Sequence, residues 1–363
     1  MVVIYAIGSN GSGQLGIGHK EDVSVPKQAL FSERPPEQIA QVKAGGNHTL
    51  LLSSGLLYCA GDPISGACGL VSDFKPSSSQ FWTSRLDNGK ALLNIPPVIR
   101  FCAASWDASF IAQQDENGRA TRIYSFGTGN KGELGVGELL FRSPNVQLIQ
   151  DFPPAGLEVV DLAASVSHIV AVLNNGDVYG WGSGRKGQLG QPDGIVYSPR
   201  KISGINFKVI RAVCGREFTY LLGEREEGRH IVLGSDKWNV ISSAPPAVPK
   251  WSDVGASWGS IFVLQSDGKL LSWGRDDHGQ LAPAGIPTLS QIAVGSEHAV
   301  GLTPEGKVLA WGWGEHGNCG PSTVDGDVKG RWNVIASSKY LPPESKILGV
   351  GAGCATSWIC VSG

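Results

Sequence analysis

The chain has 363 residues, 50 of them glycine, and its 30 Lys and Arg against 32 Asp and Glu leave a formal net charge of −2. Glycine at about 14% and charged residues at 17% depart in opposite directions from the usual ~7% and ~25%. That balance points to an all-β chain of short strands and tight turns, and the lack of a basic arm or stripe argues against a nucleic-acid binder.

The first five residues are apolar, but no basic segment precedes them and no small-residue cleavage site follows. No apolar run approaches the ~18 residues needed to cross a bilayer, so neither a signal peptide nor a membrane contact is expected. The expected location is the cytoplasm, with the nucleus also open to the chain.

The chain opens on a strand-like stretch ending in Tyr5-Ala6-Ile7-Gly8, followed by Gly13-Gln14-Leu15-Gly16. A second kind of unit comes next, Ala44-Gly45-Gly46-Asn47-His48-Thr49-Leu50-Leu51-Leu52: small residues, a variable position, then an apolar run. Both units recur to the end of the chain. The first returns as Tyr58-Cys59-Ala60-Gly61, Tyr124-Ser125-Phe126-Gly127, Tyr179-Gly180-Trp181-Gly182, Ile231-Val232-Leu233-Gly234, Leu271-Ser272-Trp273-Gly274 and Leu309-Ala310-Trp311-Gly312. A Gly-(Gln/Glu)-Leu segment follows again at 132–135, 187–190 and 279–281, whereas Ser235-Asp236-Lys237-Trp238 takes its place in a degenerate copy. The second unit returns at 103–111, 164–172, 214–222, 256–264, 294–302 and 350–361. Turns such as Asn174-Asn175-Gly176-Asp177 and Ser266-Asp267-Gly268-Lys269 join each second unit to the first unit after it, the pattern of a β-hairpin.

Dividing 363 residues by seven hairpins gives about 52 per repeat, near a kelch blade of ~50 and beyond a WD blade of ~40–45. A lone first unit starts the chain and a lone second unit ends it. They can pair only if the array closes, with residues 2–7 beside 356–361, which removes exposed sheet edges. The pattern thus predicts one all-β domain over 1–363, a seven-bladed β-propeller closed by its two ends, with a long loop insertion at about 62–100. The Trp or Phe before each closing Gly is expected to fill space between blades.

The chemistry-bearing residues read mostly as structure. The seven cysteines (Cys59, Cys68, Cys102, Cys214, Cys319, Cys354 and Cys360) include no CxxC pair. They are expected to be buried thiols in a reducing compartment, not zinc ligands. His48, His168 and His298 occupy one repeat position, a blade or more apart, with Asp107, Phe218 or Cys354 read at that position in other copies, so they are expected to be structural. Gly127-Thr128-Gly129-Asn130-Lys131-Gly132 fits GxGxxG, but no helix is predicted after it, and a turn is expected instead of a cofactor loop. The mixed charges at 224–229 read as a solvated turn. With no catalytic set, neither an enzyme nor a cofactor is expected.

Hairpin geometry puts the positions before the apolar runs and the loops after each closing Gly on one face. The former read Asn47, Trp106, Ser167, Glu217, Trp258, Glu297 and Gly353; the latter add Trp238 and Trp313, and the insertion adds Phe81 and Trp82. Aromatic anchors in a polar surround typify protein interfaces, and unpaired acids are costly to bury. Partner contact is therefore expected at Asn47, Phe81, Trp82, Trp106, Glu217, Trp238, Trp258, Glu297 and Trp313. Trp106 and Trp258 could equally plug the central channel or cap a blade.

The repeat resembles that of the regulator-of-chromosome-condensation family along the whole chain. The carrying residues are Gly8-Ser9-Asn10 with Gly13-Gln14-Leu15-Gly16-Ile17-Gly18, Gly182-Ser183-Gly184 with Gly187-Gln188-Leu189-Gly190, and Ala44-Gly45-Gly46-Asn47-His48-Thr49. The size, and the opening through Gly18-His19-Lys20-Glu21-Asp22 to Pro26, are more similar to a small fungal branch, the alpha-tubulin-suppressor or killer-toxin-insensitivity propellers. That resemblance implies a heterodimer with a small zinc-ribbon protein of diphthamide synthesis, which brings the metal. It also implies support of diphthamide formation on elongation factor two and, indirectly, of Elongator-dependent modification of tRNA wobble uridines, with no direct DNA contact. The founding branch implies nucleotide exchange on a small GTPase through an acid directly before a repeat His, a pair present here as Glu297-His298.

Overall fold

A computed structural model describes residues 2–32, 35–38, 41–69, 79–83 and 98–363. Of the expected insertion at 62–100, residues 70–78 and 84–97 lie outside the described residues. The described residues form seven antiparallel sheets, and these are the blades of a β-propeller. Counted along the chain, the first blade begins at Gln41–Ala44, the second at Ile99–Ala104, the third at Val159–Ala164 and the fourth at Arg211–Cys214. The fifth begins at Trp251–Ala256, the sixth at Gln291–Val294 and the seventh at Ile347–Ala352. These innermost strands touch one another in a closed cycle.

Closure is by the chain's two ends. Val2–Gly8 pairs with Thr356–Ser362 in unbroken register from Val2↔Ser362 to Gly8↔Thr356, and completes the seventh blade. The fourth and fifth blades have three strands each; the other five have four.

One backbone device repeats at all seven closing glycines, 8, 61, 127, 182, 234, 274 and 312, whose φ values run from 98° to 123°. In each blade the amide after this Gly donates to the carbonyl just before the second strand, as in Asp62 N to Asn47 O (2.9 Å) and Ser235 N to Glu217 O (2.9 Å). A Cβ on any of the seven would stand 2.2 to 2.7 Å from that same carbonyl oxygen. Both φ and the approach therefore demand glycine.

The register also moves two residues from where the sequence pattern puts them. The residues opposite the closing glycines are His48, Ala108, His168, Phe218, Ser260, His298 and Thr356. Ala108 and Thr356, not Asp107 and Cys354, are the histidine equivalents. Trp106 and Trp258 accordingly stand one place earlier than Asn47, Glu217 and Glu297, at the tip of the inner turn.

His48, His168 and His298 are buried between blades. Each Nε2 meets a hydroxyl of the next blade: Ser109 at 3.0 Å, Thr219 at 3.0 Å and Ser357 at 2.9 Å. Those hydroxyls donate onward to the carbonyls of Ala67, Gln188 and Asn318 at 2.6, 2.7 and 2.8 Å. A hydroxyl has one proton to give, so each imidazole donates from Nε2. Burial pushes all three imidazoles down to about 4. Trp181, Trp273 and Trp311 do the expected filling, and each indole donates to the preceding blade, to Glu133, Val240 and Gln280 carbonyls at 2.8, 3.0 and 3.0 Å.

Two cysteines depart from the expectation of free thiols: Cys59 and Cys68, in the first blade and its following turn, form a disulfide with Cα atoms 5.6 Å apart. Cys102, Cys214, Cys319 and Cys360 are buried thiols, and Cys354 is half-buried. Among the described residues no helix is long and apolar enough to cross a membrane.

Candidate partner-binding groove

The seven inner strands enclose a channel of about 470 Å³. Trp106 from the second blade and Trp258 from the fifth reach across its mouth until their ring centroids stand 5.8 Å apart at 43°. Trp106 stays 39% exposed and rests on Gly46, where a Cβ would meet the indole at 2.7 Å. The earlier placement of these two residues in their turns explains why they meet over the axis while Glu217 and Glu297 do not.

Beside that cap, the loops of the fourth, fifth and sixth blades enclose a groove of about 340 Å³, lined by Arg216, Glu217, Lys237, Trp238, Trp258, Arg275 and Glu297 among others. Four residues singled out from the sequence, Glu217, Trp238, Trp258 and Glu297, thus converge from three blades. Trp238 is supplied by the degenerate loop after Gly234, where Asp236 Oδ1 accepts from the amides of Ile241 (2.7 Å) and Ser242 (3.2 Å) and turns the chain back. Its ring lies against Gly259, where a Cβ would approach Trp238 and Arg275 to 2.9 Å. The Arg275 guanidinium covers the Trp238 ring at 4.8 Å and Lys237 Nζ stands 5.1 Å from its centre, while Arg216 covers Trp258 at 5.3 Å. Cation–π contacts of this kind hold an aromatic ring in place on an exposed surface.

Glu297 is 5% exposed and its charge is consumed inside the molecule. One carboxylate oxygen takes the Arg275 guanidinium, and the other accepts from Gln280 Nε2 at 2.8 Å. Burial pushes this carboxyl upward, against the pull of Gln280 and Arg275. Asp277, against the upward push of burial, is held down to about 2 by Arg275 and Gln280. Arg275 is therefore a bridge between Glu297, Asp277 (2.7 Å) and the Trp238 face. Sequence reasoning missed Arg275, Arg216 and Lys237. Arg275 directly follows a closing Gly, the place held by Ser9, Asp62, Thr128, Ser183, Ser235 and Trp313 in the other copies, and its charge there was the signal available.

The remaining candidates do not line this groove. Phe81 and Trp82 are corrected from surface to core. Phe81 is fully buried, stacks on Phe31 at 5.3 Å and meets the Trp358 edge at 5.8 Å; Trp82, also buried, sits in the first blade's outer strand opposite Cys59. Their aromatic mass completes the packing of the seventh and first blades. Asn47 is exposed on the first blade. Trp313 is half-buried against His316 at 5.2 Å, with its amide on the Glu297 carbonyl (2.9 Å). The Glu297-His298 pair is not free to receive a partner as a pair, because His298 faces Ser357 in the interior.

Comparison with known proteins follows the same lines. Residues 3–52 and 175–222 match the regulator of chromosome condensation (RCC1) repeat, and residues 159–188 and 289–318 match a second description of that repeat. An RCC1 repeat-containing protein of Schizosaccharomyces pombe, C10F6.04, is 32% identical over 301 residues, 77% of this chain and 78% of that protein. The secretion-regulating guanine nucleotide exchange factor of Mus musculus is 30% identical over 302 residues, and the chain spans only 61% of its length. Among solved structures, Saccharomyces cerevisiae Prp20p, described with its binding to Gsp1p and histones, superposes with a TM-score of 0.80 at 21% identity, covering 99% of this chain and 91% of that one.

Proposed function

The chain belongs to the regulator of chromosome condensation repeat family, and from that premise we propose that it is a non-enzymatic platform whose groove between the fourth and sixth blades holds a partner protein. The groove carries this reading. It gathers Trp238 and Trp258 with a polar surround on one face, the composition from which interface hot spots are built. Its rings are fixed in advance by Arg216, Arg275 and Gly259, so little ordering cost falls on binding.

The partner we propose is a small zinc-ribbon protein of diphthamide synthesis, in a heterodimer that supports diphthamide formation on elongation factor two and Elongator-dependent wobble-uridine modification. This finer reading is supported by the resemblance of the opening repeat and the chain's size to the alpha-tubulin-suppressor branch. A second reading, regulation of a small GTPase, is favoured by the likeness to the mouse exchange factor.

Affinity purification of the tagged chain, with mass spectrometry of what it retains, tests both. The expected result is a small Cys-rich zinc protein retained by the parent and lost from a Trp238→Ala/Trp258→Ala variant that still folds. Retention of a small GTPase instead moves the conclusion to the second reading. Equal retention by parent and variant removes the groove from the account.

A further inference from the structure

The disulfide of the first blade stands where other blades pack a leucine. Leu15, Leu134, Leu189 and Leu281 each come seven places after a closing Gly (8 to 15, 127 to 134, 182 to 189, 274 to 281), and Cys68 and Cys319 hold that place in the first and sixth blades. The residue two before the closing Gly is small in these other blades: Ala6, Ser125, Gly180, Ser272 and Ala310. The two places touch, since a Cβ on Gly180 would meet Leu189 at 2.5 Å and Ser125 Oγ donates to the Leu134 carbonyl at 2.6 Å. In the first blade the small residue is replaced by Cys59, so two sulfurs share the room that elsewhere holds a small residue and a leucine. Both side chains are fully buried and their Cα atoms are 5.6 Å apart, a separation that suits a disulfide. The same room serves the reduced pair, because each Sγ lies 3.9 Å from the Ala60 carbonyl oxygen, an acceptor for a thiol. Cys319 has Ala310 at the other place and remains a thiol.

Cys59 belongs to the strand Leu56–Gly61, and Cys68 to the loop that follows it. That loop is held to the second blade at three carbonyls. Ile64 accepts from Arg142 Nη2 (2.6 Å), Ser65 from Thr128 Oγ1 (2.8 Å), and Ala67 from the Ser109 hydroxyl that His48 backs (2.6 Å). The disulfide is the covalent link between the loop and its own blade. We infer that Cys59 and Cys68 form a redox-controlled clamp on the loop at 62–69, closed by oxidation and released by a small thiol such as glutathione. Local opening of the loop uncovers Cys68 and leaves Cys59 within the sheet, so attack falls on Cys68 at a rate set by that opening. A glutathione thiolate bonds to Cys68 Sγ, the Sγ–Sγ bond breaks, and Cys59 leaves as a thiolate and is protonated. A second glutathione thiolate bonds to the glutathionyl sulfur and releases Cys68, which is protonated in turn. Two glutathiones thereby lose two electrons and two protons, the cysteine pair gains them, and glutathione disulfide is the product. Glutathione disulfide restores the clamp by the reverse steps. The clamp is independent of the groove, which lies on the fourth to sixth blades.

The test incubates the full chain, without denaturant, in glutathione buffers of rising reduced fraction, then alkylates the unfolded chain and maps its cysteines by peptide mass spectrometry. The link between Cys59 and Cys68 is expected in oxidising buffer, lost in excess reduced glutathione and regained on return, with the other five cysteines unchanged. Reduction is expected to lower the thermal midpoint by a few degrees and to speed amide hydrogen exchange several-fold at 62–69 alone. With glutathione disulfide, Cys59→Ala is expected to take one glutathione on Cys68, and Cys68→Ala none on Cys59. Cys59→Ala/Cys68→Leu, which copies Ala6 and Leu15 of the seventh blade, is expected to lose every response to glutathione. Seven free thiols in all buffers, a link that survives excess reduced glutathione, or exchange at 62–69 that ignores the redox state overturns the clamp. Glutathione found on Cys59 in place of Cys68 overturns the order of attack. The titration and the exchange use the parent chain, so they decide the matter even if a variant does not fold.

Discussion

Six of the seven blade junctions are of two kinds, and each kind solves the same problem. At these six a carbonyl in the turn after the closing Gly points into the next blade and is capped, because an orphaned buried acceptor costs about 1–3 kcal/mol; at the junction of the seventh and first blades Thr49 Oγ1 has no partner and Ala60 stands opposite it, so neither cap is present among the described residues. At three junctions the cap is an indole: Trp181, Trp273 and Trp311 donate to Glu133, Val240 and Gln280. At three others it is a hydroxyl backed by a histidine: Ser109, Thr219 and Ser357 donate to Ala67, Gln188 and Asn318 while accepting from His48, His168 and His298. The two donors are cross-strand neighbours. Trp181, Trp273 and Trp311 face Ile169, Ile261 and Ala299, whereas the hydroxyl residues Ser109, Thr219 and Ser357 face Phe126, Leu233 and Ile7. Where the indole caps, the preceding blade carries Ala108, Phe218 or Ser260 in place of His. The histidines are thus half of a structural exchange, not remnants of a catalytic set.

Acid separates the two kinds most strongly. The three imidazoles are held down to about 4, from 6.5 when unfolded. Between these values the unfolded chain binds protons that the folded chain refuses, so stability falls as pH falls from 6.5 toward 4 and is indifferent to these groups above 6.5. Each contributes up to ~1.4 kcal/mol per pH unit, roughly 4 for all three together. Urea unfolding between pH 7 and 5 measures it, and a stability that stays level over that range contradicts the neutral, Nε2-donating assignment.

An indole junction should resist acid but not truncation. Trp311→Ala removes a fully buried ring and the cap on Gln280, and is expected to cost about 3–5 kcal/mol at pH 7 and at pH 5.5 alike. Thr219→Val is smaller: it keeps the shape but leaves the Gln188 carbonyl and His168 Nε2 without a partner, for a loss of about 1–3 kcal/mol. If adding Leu233→Trp to a Thr219→Ile/His168→Ala background recovers none of the lost stability in urea, the two solutions are not interchangeable and the comparison fails.

Much of this architecture is legible in the sequence, because the ring forces the same backbone bond seven times. The closing glycines, the hairpins and the meeting of the chain ends all follow from repeated local chemistry, and so does the structural role of the histidines. What escapes is whatever depends on one residue of register or on residues brought together from different repeats. Trp106 and Trp258 align by eye with Asn47 and Glu217, yet one step along a turn sends them over the channel. Phe81 and Trp82 look like an exposed insertion because nothing local marks the outer edge of the first blade that they fill. Arg275 is unremarkable until its guanidinium is seen between Glu297, Asp277 and Trp238.

The smallest effect on stability belongs to the groove, and there a null result in unfolding is itself informative. Glu217 is half-buried and pairs with no cation among the described residues, so Glu217→Lys is expected to shift unfolding by no more than ~0.5 kcal/mol. It nevertheless reverses a charge that lines the groove, and is expected to lower retention of the partner protein by the tagged chain about a few-fold at low salt, with the difference fading as salt is raised. A junction residue cannot behave this way, since its neighbours are buried and every change there is read as stability. If Glu217→Lys destabilises the chain by several kcal/mol, the fourth-blade loop is part of the load shared by the junctions, and the division of the molecule into a stabilising ring and a separable recognition surface does not hold.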